Sequence, residues 1–94
     1  MIWYKQGVIG DLSIPMRKGL GRVARLADQR GEDVFVTSLR EANHSLGSLH
    51  YDGNAVDIRP LHKTSVAEVI EVLGDKDFDV VNEGNHWHLE YDPK

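Results

Sequence analysis

The sequence predicts an α+β fold: a single small domain, residues 1–94, with a mainly antiparallel sheet and two helices on one of its faces. Three observations carry this. Short β-branched and aromatic runs recur at Asp33–Ser38, Ala55–Ile58, Phe78–Asn82 and His86–Tyr91. Two other stretches repeat apolar residues at helical spacing, each between a start and a stop signal. Ninety-four residues suffice for one modest core.

The elements follow in order. Residues 1–12 are mixed; Val8-Ile9 reads as a short strand, with Trp3 and Tyr4 covering the core edge. Ser13-Ile14-Pro15 opens a helix, because proline is tolerated in the first turn. Met16, Leu20, Val23 and Ala27 form its apolar stripe, with Arg17, Arg22, Arg25 and Arg30 on a solvated side. Gly19 and Gly21 each weaken it by about 1 kcal/mol relative to Ala, and Gly31 is its stop. Pro60-Leu61-His62-Lys63 is a connector with His62 at the surface. Ser65-x-x-Glu68 is a capping box for the second helix. Its buried stripe is Val66, Val69, Ile70 and Leu73, and Gly74 ends it. Glu83-Gly84-Asn85 is a tight turn between the last two strands.

Composition excludes several function classes. Net charge is −4, so there is no basic footprint for nucleic acid. No apolar run approaches the ~20 residues of a membrane span, and no signal peptide is recognisable behind Lys5. The absence of cysteine excludes disulfides and thiolate metal sites. A monomer is expected.

Two stretches carry the chemistry: Ser48–Ile58 and Glu83–His88. In Ala55-Val56-Asp57-Ile58 the alternation sends Val56 and Ile58 to one face, Ala55 and Asp57 to the other. A carboxylate in such a strand is costly unless it is paired or holds a metal. Turn residues between His50 and Asp57 let the imidazole fold back beside the carboxylate. His86 and His88, two apart on a strand, share a face, while Trp87 points into the core. A lone strand histidine is usually structural. Two of them beside a His–Asp pair read as a metal site with imidazole and carboxylate donors, which suits zinc better than calcium or magnesium.

The pattern Ser48-x-His50-x2-Gly53-x-Ala55-x-Asp57, followed late in the chain by His86-x-His88, resembles the zinc peptidases of the D-Ala-D-Ala carboxypeptidase and phage endolysin type. The segment Ser48–Ile58 is also similar to the zinc-site segment of the Hedgehog signalling domain, which shares their fold. The resemblance spans roughly Val34 to Tyr91. It implies a Hedgehog/DD-peptidase-like domain with the zinc on the face opposite the helices. It implies one Zn2+ held by His50, Asp57 and His88, with Glu83 as general base and His86 supporting the oxyanion. Some members place the Glu three residues before the ligand His, which would pair Glu83 with His86; His88-Leu89-Glu90 fits the phage type, so His88 is taken as ligand. Arg40, just after the Val34–Ser38 strand, matches an arginine that meets the substrate carboxylate, and His44 lines the site. The implied partner is a peptidoglycan stem peptide. The implied alternative is a catalytically silent, zinc-containing binding domain. The enzyme would be cytoplasmic as made and reach the cell wall on release.

Overall fold

Alternation over Ala55–Ile58 produces a strand, and that strand lies at the centre of a sheet. The computed structural model describes residues 1–6, 12–38, 54–74 and 76–92. Along them run β1 (Ile2–Tyr4), α1 (Ile14–Gln29), β2 (Val34–Ser38), β3 (Ala55–Ile58), α2 (Val66–Leu73), β4 (Phe78–Asn82) and β5 (Trp87–Tyr91). They form an α+β unit with a five-stranded mixed sheet in the order β1-β2-β3-β5-β4. The β1–β2 pair is parallel; β2–β3, β3–β5 and β4–β5 are antiparallel.

Both helices cover one face. Val36, Ile58, Trp87 and Leu89 from the sheet share a single buried cluster with Leu20 and Val23 of α1 and Val69 of α2. Burying each such side chain contributes roughly 1.5–3 kcal/mol. The register Asp57↔His88 and Val56↔Leu89 then fixes what remains on the opposite face. Because side chains alternate, Asp57, His88 and Glu90 must point away from the helices.

Local signals place the helices. Ser13 caps α1, its hydroxyl accepting from the Met16 N–H. The Ser65–Glu68 capping box forms in full, and Gly74 ends α2 with φ 67°. Between the helices, Glu32 accepts from the Lys63 N–H at 2.7 Å, the His62 N–H at 2.8 Å and the Thr64 hydroxyl at 3.1 Å. Burial raises the pKa of this carboxyl, but those three donors outweigh it and hold it below the ordinary glutamate value.

Three expectations change, concerning Ile70, Arg22 and His86, and one strand is added at the N-terminus. The N-terminal strand is Ile2–Tyr4, paired with β2, while Val8-Ile9 lies outside the described residues. Ile70 is 51 % exposed, because α2 turns its buried side toward α1 and half-buries Val72 instead. Arg22 is not merely solvated: its guanidinium donates to the Val72 and Leu73 carbonyls at 3.2 and 2.9 Å and lies over the Phe78 ring. It thereby satisfies carbonyls in the last turn of α2. His86 precedes β5 rather than lying in it.

Gly19 and Gly21 are not equivalent. A Cβ on Gly19 would stand 2.8 Å from the Phe78 ring, which is itself packed against Tyr91. A Cβ on Gly21 would meet nothing within 4 Å. Gly21→Ala is therefore expected to stabilise the fold by about 0.5–1 kcal/mol. Gly19→Ala is expected to destabilise it by about 1 kcal/mol, as overpacking exceeds the gain in helix propensity. Denaturant midpoints moving in opposite directions would verify this; equal shifts would refute the close α1–β4 contact.

Candidate metal centre

Asp57 and His88 are register partners on the central strands, and their side chains converge. His88 Nδ1 lies 2.7 Å from Asp57 Oδ1, and its Nε2 lies 2.9 Å from Glu90 Oε1. All three side chains are largely buried, 15 to 22 % exposed. Glu90 joins because it follows His88 by two residues on one strand and so shares its face. No metal-site role for Glu90 comes from the sequence alone, although that i, i+2 alternation is visible in it.

An imidazole between two carboxylates can satisfy both only as imidazolium, since the neutral ring has a single N–H. The hydrogen bond to Asp57 accordingly raises the pKa of His88 above its ordinary value, with Glu90 adding to the effect and partial burial opposing it. The sign for stability follows. In metal-free protein the stabilisation is complete below the unfolded histidine pKa of ~6.5 and is lost as pH rises through the higher folded value. Chelator-treated protein should thus lose stability on the alkaline side of ~6.5. His88→Gln should flatten that dependence in melting curves taken across pH. An unchanged slope would show that the imidazolium is not shared in this way.

These donors fit zinc chemistry. Two donors on one tetrahedral zinc at ~2.0–2.1 Å stand roughly 3.3 Å apart. The Asp57–His88 separation of 2.7 Å needs only a small opening for an ion to replace the shared proton. Glu90 on the other ring nitrogen supplies the carboxylate contact that commonly orients metal-bound imidazoles. Two of the three expected ligands are thus brought together; His50 lies outside the described residues, as do Arg40 and His44.

The strand β4 ends in a hairpin closed by the Glu83 N–H donating to the His86 carbonyl at 2.9 Å. Gly84 has φ 90°, as a two-residue turn with glycine first requires. Since Asn82 pairs with Trp87, Glu83 stands opposite His86 at the hairpin end. That is two residues from His88, or ~7 Å along the strand. The Glu83 side chain is exposed, and His86 Nδ1 lies 2.7 Å from Asn85 Oδ1.

Glu90 also belongs to the one group of three His, Asp or Glu side chains that, among the described residues, lies close enough together to hold a metal ion. Asp79, Glu90 and Asp92 can each bring one carboxylate oxygen within 4.8 Å of the others and could hold a metal ion. Three oxygen donors suit a hard cation such as Mg2+, Ca2+ or Mn2+ rather than zinc. No helix among the described residues is long and apolar enough to cross a membrane. No family model matches the sequence, and no curated protein matches it either.

Proposed function

We propose that this chain is a zinc metallopeptidase of Hedgehog/DD-peptidase-like fold that hydrolyses peptidoglycan stem peptides. The observation that supports it best is the convergence of Asp57 and His88 on the sheet face opposite the helices. With His50, they would hold one Zn2+. When bound, zinc supplies Lewis-acid polarisation of the scissile carbonyl and an acidified water.

The remaining roles fall to the chain's own side chains. Glu83 takes the proton of the attacking water and passes it to the leaving amine. His86 donates a hydrogen bond to the oxygen where negative charge develops. Arg40 holds a substrate carboxylate through two parallel hydrogen bonds, and His44 lines the peptide path. Glu90 fixes the His88 ring through Nε2.

The exposed position of Glu83 and the His86–Asn85 contact favour one alternative, a zinc-bearing domain that binds a partner without hydrolysis. A D-Ala-D-Ala dipeptide assay separates the two. Hydrolysis abolished by chelator and restored by zinc supports the peptidase. Zinc uptake without hydrolysis of this dipeptide or of purified cell wall supports the binding domain.

A further inference from the structure

The strand β2 breaks its alternation beside the metal centre. Val34 and Val36 point into the helix-covered core, and regular alternation would send Ser38 there too. A register shift between Val36 and Ser38 instead makes Ser38 the partner of Asp57. Partners in an antiparallel pair put their side chains on one face, with Cβ atoms ~4.5–5.5 Å apart. The row Ser38–Asp57–His88–Val81 therefore runs across four strands on the face opposite the helices. Bulges are over-represented next to active sites, where they re-aim a side chain.

The Ser38 side chain is also chemically incomplete. The residue is 8 % exposed, and its Oγ has no hydrogen-bond partner among the described residues. Buried hydroxyls are nearly always bonded, so one without a partner needs an explanation. Neighbouring Thr37 differs, its hydroxyl donating to the Asp57 carbonyl at 3.3 Å. A nucleophilic role does not fit, because Asp57 stands between Ser38 and His88, whereas a serine nucleophile needs the imidazole next to its hydroxyl.

We infer that Ser38 is a positioning residue of the centre: resting on the zinc reading above, its hydroxyl donates to the Asp57 carboxylate when a metal ion draws that carboxylate away from His88. The flank of Asp57 on the β2 side is where Ser38 stands, on the same face of the sheet. The hydroxyl thereby gains its missing acceptor only in the metal-bound state, and the carboxylate is held in one orientation.

The test uses the full chain with zinc alone as the probe, titrated against a competing chelator, beside melting curves of the metal-free protein. Ser38→Ala is expected to weaken zinc binding 10- to 100-fold, the usual effect of losing a residue that orients a ligand. It should leave the metal-free melting temperature unchanged or higher, since no hydrogen bond is lost there. Ser38→Thr keeps the hydroxyl and should recover most of the affinity. A lower metal-free melting temperature with unchanged zinc affinity would make Ser38 a packing residue and overturn the inference. Equal affinity in parent and Ser38→Ala would overturn it while leaving the zinc centre standing. A parent that binds no zinc would remove the centre and this role with it.

Discussion

Replacing either His88 or Asp57 by alanine is expected to abolish stoichiometric zinc binding. The two residues are register partners whose donor atoms lie 2.7 Å apart, so they share one ion if either holds it. Loss of a direct ligand should exceed the 10–100-fold effect of residues that only orient ligands. Affinity should therefore fall by more than ~100-fold on that comparison. Both variants should remain folded, because the helix-side cluster of Val56, Ile58, Trp87 and Leu89 is untouched. His86→Ala should keep its zinc, since that ring turns to Asn85 at the hairpin end. Elemental analysis after gel filtration reads this directly. Full occupancy in His88→Ala with loss in His86→Ala would move the ligand to His86 and shorten its spacing from Glu83.

Glu83→Gln is expected to keep zinc and lower the turnover number by at least ~100-fold, the usual worth of a positioned general base. The hairpin explains why chemistry and metal affinity should separate here. Glu83 lies opposite His86, ~7 Å along the strand from His88, beyond direct ligation at its backbone position. Glutamine keeps the shape, and the turn is closed by the backbone N–H of Glu83, which the substitution leaves intact. Wall digestion by the Gln variant at the parental rate, with zinc verified in both, would exclude Glu83 as base.

Most of the fold is readable from the chain because its signals are local. The alternation of Val56 and Ile58 against Asp57, the Ser65–Glu68 box and the glycines at 31 and 74 each act within a few residues. What escaped is tertiary. The three-residue β1 carries no turn signal of its own and exists through its parallel pairing with Val34–Val36. Ile70 and Val72 exchange places because α1 approaches α2 from one side, which helical periodicity cannot specify.

The site divides in the same way. Asp57 and His88 are legible as a polar interruption of apolar strands, and their meeting requires only correct register. His86 illustrates the limit: spacing puts it on the face of His88, but the turn closed at Glu83 leaves it outside β5. A bulge has no sequence signature here; pairing with Asp57, not the order of side chains, turns Ser38 to the face opposite the helices. Glu90 was visible as an acidic residue after the histidines, while its contact with His88 Nε2 depends on side-chain geometry.

Metal content and cell-wall hydrolysis measured on one sample of the parent protein test the central claim most directly. One zinc per chain and release of new amino groups from purified peptidoglycan are expected, both lost with a chelator and both restored by zinc. Purified protein that takes up no zinc, or that holds one zinc and releases no amino groups, would contradict it.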